Sequence, residues 1–323
     1  MDPNIIIKHT LIDASYIQKL VVDCNISPIV QCDFLARGLN DTYIITTEND
    51  IYIFRLYRHG WRNKSAILFE LNAITQLHEK GASVSFPFRN NDADYLFEIE
   101  APEGLRYGVL FSYAKGERPQ INEENSKSIG AALGKLHKQS SSFHLNYERG
   151  FDIDINHLLD EPVSYISPLI NTYLGSEADQ SMKDIVEEVK TELSTKELEI
   201  GFCHGDFHNH NMHIHNGELE IFDFDCSAVG YRAYDVAVSW WNLKNNYSSK
   251  EKECWDAFLT GYQAQRSLTE DDLQSLPLFI TARRIWLLGT MTQNDDVWGT
   301  NWVNERTLEF FILQLKTDRL KER

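Results

Sequence analysis

The sequence predicts an α+β fold of two parts, a small strand-rich part followed by a larger, mainly helical part. Up to residue 114, short runs of alternating apolar residues are separated by turn signals, with one long amphipathic helix among them. From residue 115 onward, apolar residues recur at helical spacing instead. We therefore predict two domains, 1–114 and 115–323.

The strand-rich part is predicted to contain five strands and one helix. Residues 34–46 are expected to form two strands joined by a turn, and residues 51–57 a third strand. In residues 64–80, apolar side chains recur every three or four positions, which predicts an amphipathic helix. Two more strands are predicted at 95–99 and 107–113. This part therefore has one helix among its strands.

The second part is predicted to be helical and rich in tryptophan. One helix ends near His137, and others cover residues 179–194, 252–263, 270–289 and 304–318. Such a chain needs a sizeable core, which 323 residues with 42% hydrophobic content can supply.

Composition argues against several classes of protein. No run of about 18 apolar residues occurs, so no membrane span is predicted. The first residues lack the basic and apolar regions of a secretory signal. The five cysteines are scattered and show neither zinc spacing nor a disulfide framework, which suits a reducing compartment. We therefore expect a cytoplasmic protein.

The formal net charge of −17 constrains the partners. A nucleic-acid partner is not expected, because a phosphate backbone requires a basic protein face. An acidic surface attracts cationic ligands over long range. The same surface also keeps a protein soluble without implying any ligand, and the sequence leaves both interpretations open.

The most informative segment holds three polar residues at defined intervals. Asp206 lies five residues before Asn211, which lies twelve residues before Asp223. Phosphoryl transfer from ATP needs such a set. One carboxylate orients the attacking hydroxyl and accepts its proton, while an amide oxygen and a second carboxylate hold Mg²⁺ against the phosphates.

A predicted hairpin connects the last two of these residues. Residues 212–215 and 218–222 alternate in the manner of strands, and the Asn-Gly pair between them is a strong two-residue turn signal. The hairpin is expected to return Asp223 to the neighbourhood of Asn211, so that both could bind one metal ion.

These motifs resemble one known superfamily. The pattern His-Gly-Asp-x-x-x-x-Asn at 204–211, the apolar-Asp pair ending at Asp223 and Tyr-Asp-Val-Ala at 234–237 are similar to aminoglycoside phosphotransferases, choline kinases and homoserine kinases. The resemblance is strongest over 200–240 and fainter over about 30–140. It implies the bilobal protein-kinase-like fold, with a strand-rich N-lobe and a mainly helical C-lobe.

The resemblance also assigns roles by position. It implies that Asp206 is the catalytic base and that Asn211 and Asp223 are the magnesium ligands. It further implies that Asp235 is the buried aspartate that steadies the catalytic loop. His204, just before the Gly-Asp pair, is interpreted as a structural support of the site.

Residues 37–41 stand between two predicted strands, where the family has its phosphate-covering loop. Gly38 permits backbone conformations that are closed to other residues. Backbone N–H groups and the Asn40 side chain would then reach phosphate oxygens. An ordinary hairpin turn is the alternative interpretation.

Kinases carry a phosphate-binding lysine on the third strand, paired with a helix glutamate. This chain has Arg55 at that place, with Glu70 in the following helix as the expected partner. Arg58 is the other candidate cation, and solvent-exposed positions are the alternative for both members of the pair. The hinge expected to bind adenine consists of Ser112, Tyr113 and Ala114.

Two features near the motif stay ambiguous. Five histidines between positions 204 and 215 could form a zinc site, although the kinase-like interpretation explains them without one. Asp225 could be a second metal contact, a residue that supports the metal ligands, or a surface residue.

The resemblance implies an ATP- and Mg²⁺-dependent kinase that phosphorylates a hydroxyl of a small molecule, such as an aminoglycoside, choline or a homoserine-like compound. The acidic charge favours a cationic acceptor, and Trp240 and Trp241 could offer it aromatic faces unless they pack in the core. A bacterial stress-response-type protein Ser/Thr kinase and a non-catalytic nucleotide-binding module stay open as alternatives. The sequence does not predict the oligomeric state.

Overall fold

The computed structural model describes residues 5–22 and 24–320, and the chain divides into two compact units. Unit 1 comprises Met1–Gly116, Phe143–Gly150 and Ile214–Phe222. Unit 2 comprises Glu117–Ser142, Phe151–His213 and Asp223–Arg323. The domain boundary between residues 114 and 115 stays a prediction.

Unit 1 is built on an antiparallel sheet with the strand order β1-β2-β3-β6-β4, and β5 pairs with β6. The elements that precede the hinge are α1 (Ala14–Val21), β1 (Ile29–Arg37), β2 (Asp41–Thr47), β3 (Ile51–Leu56), α2 (Lys64–Glu79), β4 (Pro87–Phe88), β5 (Phe97–Ala101) and β6 (Gly104–Ser112). Strand β2 alternates buried and half-buried residues, the pattern of a strand with one face on the core. The predicted strands and helix are therefore present.

Helix α2 begins where the sequence provides a cap. The Asn63 side chain accepts the backbone N–H of Ala66 at 2.8 Å, which satisfies one of the unpaired donors of the first turn. Its buried face carries Ile67, Leu71 and the fully buried Glu70. One helix was predicted in this part of the chain, and the structure adds α1, a short helix whose Ile17 and Val21 pack against apolar side chains of the sheet.

Unit 2 is mainly helical, as predicted. The remaining elements of the chain, in order, are α3 (Glu123–Ser140), α4 (Glu161–Leu174), α5 (Ser176–Ser194), β7 (Ile200–Cys203), β8 (Met212–His215), β9 (Glu218–Ile221), β10 (Ala228–Tyr231), α6 (Arg232–Asn246), α7 (Glu251–Gln263), α8 (Glu270–Gln293), α9 (Asp295–Trp298) and α10 (Glu305–Leu320). Of these, β9 and the end of β8 belong to unit 1. Helix α3 packs against α7, and α6 packs against α8. The α+β class predicted from the sequence is confirmed.

Two short strand pairs flank the polar segment. Strands β7 and β10 pair antiparallel, with Cys203 opposite Ala228. Strands β8 and β9 form the predicted hairpin, and Asn216 and Gly217 in its turn have φ of 51° and 82°. Two consecutive positive φ values match the twist of a tight hairpin, which is why an Asn-Gly pair suits this turn.

Within the described ranges 5–22 and 24–320, no helix has the length and apolar character needed to cross a membrane.

Candidate active site

The loop after β7 is held by a buried carboxylate. Asp235, in the first turn of α6, is fully buried, and it accepts the backbone N–H of His204 at 2.6 Å and that of Gly205 at 2.7 Å. The ring of His137 lies 3.1 Å from the same carboxylate through Nε2 and 2.8 Å from the Tyr262 hydroxyl through Nδ1. Burial lowers the pKa of His137, so the ring is neutral near pH 7. This network fixes the loop backbone.

Gly205 is the residue that lets the loop turn at this point. Its φ is +82°, and a Cβ placed there would lie 2.1 Å from the carbonyl oxygen of Cys226. Both the left-handed backbone and the lack of space require glycine. The next residue is Asp206.

Asp206 has polar partners on both carboxylate oxygens. Oδ1 lies 2.5 Å from Arg283 Nη2 and 3.2 Å from His208 Nε2, while Oδ2 accepts a hydrogen bond from Asn211 Nδ2 at 3.0 Å. Burial alone would raise the pKa of the carboxyl, but the charges of Arg283 and His208 hold it well below its usual range. The side chain is still 22% exposed, so an ionised carboxylate faces an accessible space.

Asn211 is oriented by the same loop. Its Nδ2 also donates to the backbone oxygen of Asp206 at 2.8 Å. Because the nitrogen is the donor in both bonds, the amide oxygen points away from Asp206 as an acceptor. An amide oxygen in that position suits a hard cation.

Asp223 has an unusual backbone. Its φ is 65° and its ψ is 60°, a left-handed conformation that non-glycine residues seldom adopt, directly before a 3-10 turn at Phe224–Cys226. Conformations of this kind persist where the surroundings enforce them, and they concentrate at functional sites. The turn carries Asp225, which is 4% exposed, so its interpretation as a surface residue is wrong.

The structure does not gather the five histidines around a metal site. The group of potential metal ligands found among residues 5–22 and 24–320 is His137, Cys203 and Asp235, which is fully buried and lies outside the histidine-rich stretch. Asp235 already accepts two backbone N–H groups and contacts His137. Its carboxylate oxygens therefore stabilise the fold and are not available to a metal ion. His204 is buried and its Nδ1 accepts the N–H of Asp206 at 3.3 Å.

Arg283 is a site residue that the sequence analysis missed. It lies on α8, and 77 residues of sequence separate it from Asp206, which it contacts. Its side chain is 3% exposed. Its guanidinium lies 4.9 Å from the ring centroid of Trp241 and 4.6 Å from that of Trp286. The signal available was the pair Arg283-Arg284 inside a mostly apolar helical segment, since such charges are seldom buried without partners.

In unit 1, Arg55 and Glu70 are in contact. Arg55 Nη1 lies 3.3 Å from Glu70 Oε1, and the side chains are 14% and 0% exposed. The alternative of solvent-exposed positions is therefore wrong for both residues. The Arg55 guanidinium also lies 5.7 Å from the ring centroid of Phe111.

The glycine loop of unit 1 differs from the expectation. The backbone of Gly38 does not have a positive φ, and a Cβ added to it would meet nothing within 4 Å. Neither the conformation nor the available space therefore requires glycine at this position. Asn40 is 9% exposed, and its Oδ1 accepts the backbone N–H of Arg58 at 3.1 Å. The Asn40 oxygen therefore stabilises the turn.

The first residue of the predicted hinge, Ser112, is hydrogen-bonded within unit 1. The backbone N–H of Ser112 donates to the Phe86 oxygen at 2.9 Å, and its carbonyl accepts the Ser85 hydroxyl at 2.6 Å. Its N–H is therefore committed within unit 1.

Trp240 is half-buried and packs against side chains of unit 2. Its ring stacks on Trp255, with centroids 4.5 Å apart and planes 8° apart, and its Nε1 donates to Glu251 at 2.9 Å. The Lys244 ammonium lies 4.8 Å from the Trp240 ring centroid. The Trp240 ring is therefore in contact with Trp255 and with Lys244.

Comparisons with known proteins agree with this geometry. The model of the phosphotransferase enzyme family matches residues 34–276. An uncharacterized protein of Deinococcus radiodurans is 33% identical over 281 residues, which cover 85% of this chain and 81% of that protein. A homoserine kinase of Agrobacterium fabrum is 24% identical over 284 residues, covering 84% and 82% of the two chains.

Solved structures show the same fold at lower identity. An amicoumacin kinase in complex with AMP-PNP, Ca²⁺ and Ami has a TM-score of 0.78 at 21% identity, covering 95% of this chain and 94% of that one. A microcompartment-associated aminopropanol kinase has a TM-score of 0.77 at 18% identity, covering 95% of each chain. The chain belongs to the phosphotransferase enzyme family, which confirms the resemblance found in its sequence.

Proposed function

We propose that this protein transfers the γ-phosphoryl group of ATP to a hydroxyl of a small molecule. The observation that carries the proposal is the accessible, ionised Asp206 carboxylate, with Asn211 bonded to it at 3.0 Å. A hydroxyl that donates to Asp206 would be aligned for in-line attack. The low pKa of the carboxyl makes it a weak base, so its role is to orient the hydroxyl, which suffices when the transition state is loose.

The divalent metal fits the donor set of unit 2. The Asn211 amide oxygen and the Asp223 carboxylate are hard oxygen ligands, the type that Mg²⁺ prefers. When bound, Mg²⁺ neutralises charge on the phosphate oxygens. Asp235 and His204 would hold the loop that presents these ligands. The related structure solved with AMP-PNP and Ca²⁺ supports the use of a nucleotide and a divalent metal.

We assign ATP binding to unit 1. Arg55, positioned by buried Glu70, would bind the α- and β-phosphates through its planar guanidinium. Backbone N–H groups near Gly38 would contact phosphate oxygens, and Tyr113 and Ala114 would bind adenine. The scattered cysteines and the acidic composition favour a cytoplasmic location.

We propose that the acceptor is an amino alcohol or a hydroxy amino acid. Relatives named homoserine kinase and the aminopropanol kinase structure support this class. The test is a transfer assay with radiolabelled Mg·ATP, a panel of small hydroxyl compounds and generic protein substrates. We expect label on a small molecule with wild-type protein and with the surface control Asp92→Asn, and none with Asp206→Asn. Label on protein substrates alone would contradict the proposal.

A further inference from the structure

We propose that Arg283 and Trp241 form an anion-recognition site, and that the acceptor carries a carboxylate a few bonds from its reactive hydroxyl. This inference rests on the proposed phosphotransfer at Asp206. It names the substrate class and the residue that selects it.

Arg283 is held rigidly against the proposed orienting residue. Its Nη2 lies 2.5 Å from Asp206 Oδ1, and its Nη1 lies 3.5 Å from the Tyr234 hydroxyl. The rings of Trp241 and Trp286 lie 4.9 Å and 4.6 Å from the guanidinium carbon. Cation–π contacts and a charge-assisted hydrogen bond together fix the plane of the guanidinium.

Two donors at this place have no partner among the described residues. Both Arg283 Nε and the indole Nε1 of Trp241 are buried and make no hydrogen bond within residues 5–22 and 24–320. A buried donor without a partner is costly, and native proteins rarely keep one without a reason. Both groups donate only, so the ligand that satisfies them must present acceptor oxygens.

The aromatic rings do not favour a cationic ligand. Trp241 and Trp286 already flank a cation of the protein, and Trp240 faces Lys244 and Trp255. The net charge of −17 belongs to the whole chain, whereas the group beside Asp206 is a buried guanidinium. Local chemistry therefore favours an acceptor with an anionic group, against the expectation drawn from composition.

One guanidinium would act on both parts of such an acceptor, on the hydroxyl through Asp206 and on the carboxylate directly. Its Nη2 holds the carboxylate of Asp206, which would accept the substrate hydroxyl, while Nε–H would donate to the substrate carboxylate. Because both contacts come from one rigid planar group, hydroxyl and carboxylate must be separated by only a few bonds. Short hydroxy amino acids meet this requirement.

The experiment uses matched acceptor pairs that differ by one carboxylate. The pairs are serine and ethanolamine, homoserine and 3-aminopropanol, and threonine and 1-amino-2-propanol. For each compound, kcat/KM is measured with the wild type and with Arg283→Lys, Arg283→Gln and Arg284→Gln. Arg284 is the matched control, because it is the next residue on α8 and is paired with Asp318 instead. Calorimetric binding of each pair in the presence of Mg·ADP gives a second measure without turnover.

We expect the wild type to favour the carboxylate member of the best pair by about tenfold or more. Arg283→Lys keeps the charge but lacks Nε and the planar fork, so the preference should fall toward unity, as in Arg283→Gln. Arg284→Gln should keep the preference.

Two results would overturn the inference. One is equal or better turnover of the carboxylate-free members, and the other is a preference that survives in Arg283→Lys. Either result leaves the phosphotransferase proposal standing. Conversely, carboxylate binding that depends on Arg283, with no transfer to any compound, would support the anion site and overturn the proposed reaction.

Discussion

The two loops that the sequence predicted to handle phosphate each lie beside a buried aspartate, but the aspartates do different things. Asp235 accepts backbone N–H groups of the loop itself, so the backbone of residues 204–206 is fixed. Asp41 instead binds the side chains of Arg106 at 2.9 Å and Arg37 at 3.1 Å. The N–H of Gly38 donates to the Asn40 carbonyl of its own turn at 3.0 Å and not to a buried carboxylate. The loop at residues 204–206 is therefore preorganised by buried hydrogen bonds to its backbone. The loop at Gly38 has no such bond to Asp41 in the described residues, so we expect it to adapt more easily to its ligand.

The largest difference between the loops should appear in turnover. Asp206→Ala removes the group that orients the hydroxyl, so we expect kcat to fall by about a hundredfold or more, with ATP affinity nearly unchanged. Asn40→Ala in the other loop should lower kcat by less than about tenfold, because the Asn40 side chain accepts the backbone N–H of Arg58 and so stabilises a turn. Steady-state kinetics and nucleotide titration check both. If Asp206→Ala retained a tenth or more of the wild-type kcat, the role of Asp206 in orienting the hydroxyl would be contradicted.

A pair of glycine substitutions tests the backbone difference directly. Gly205→Ala meets a carbonyl oxygen at 2.1 Å and a left-handed backbone, so we expect a loss of about 3 kcal/mol in the free energy of unfolding. Gly38→Ala should change that free energy by less than about 0.5 kcal/mol, because its Cβ meets nothing. Urea unfolding followed by circular dichroism measures both. Similar losses in the two variants would show that the loops do not differ in constraint.

In unit 1, the phosphate contact should be replaceable in part. Arg55→Ala should raise the KM for ATP by about tenfold, and Arg55→Lys should restore part of the loss, because lysine keeps the charge without the fork. Glu70→Gln gives a check on positioning, since Glu70 contacts Arg55 at 3.3 Å. If the KM for ATP is unaltered in Arg55→Ala, the phosphate cation is elsewhere, and Arg58 is the next candidate.

The smallest expected effect concerns pH and the network behind Asp235. Burial lowers the pKa of His137 below its ordinary value of 6.5. Below pH 6.5 the unfolded state therefore binds a proton that the folded state excludes, so stability is complete above that pH and falls as pH drops. This residue alone can contribute a slope of at most about 1.4 kcal/mol per pH unit. His137→Gln should be less stable at pH 7 but show a shallower decline from pH 7 to 5, measured by urea unfolding. An identical slope in both proteins would contradict a buried neutral His137.

Sequence reasoning worked where one face of an element is apolar. Helix α2 and the hairpin around Asn216 were predicted because their periodicity and turn chemistry are local. Helix α6 was missed because its buried residues include 232–239, so no polar stripe marks a helical period. Helix α4 was missed as well, and it contains Pro168, which interrupts the helical signal.

The same distinction applies to the candidate site. Asp206, Asn211 and Asp223 lie within 18 residues of one another, so a sequence pattern can identify them. Arg283 reaches Asp206 only through the packing of α8, and the N–H of Ser112 is bonded to Phe86, which is distant in sequence. Gly38 was misjudged because a glycine in a turn does not reveal its φ.

The measurement that tests the central account most directly is calorimetry of nucleotide binding to the wild type and Asp223→Ala, with and without Mg²⁺. The left-handed backbone of Asp223 presents a carboxylate that we assign to the metal. We predict that Mg²⁺ strengthens ATP binding to the wild type and that this dependence is lost in Asp223→Ala, while binding of metal-free ATP is unchanged. Equal affinity and equal Mg²⁺ dependence in the two proteins would contradict the assignment of a nucleotide–metal centre to this segment.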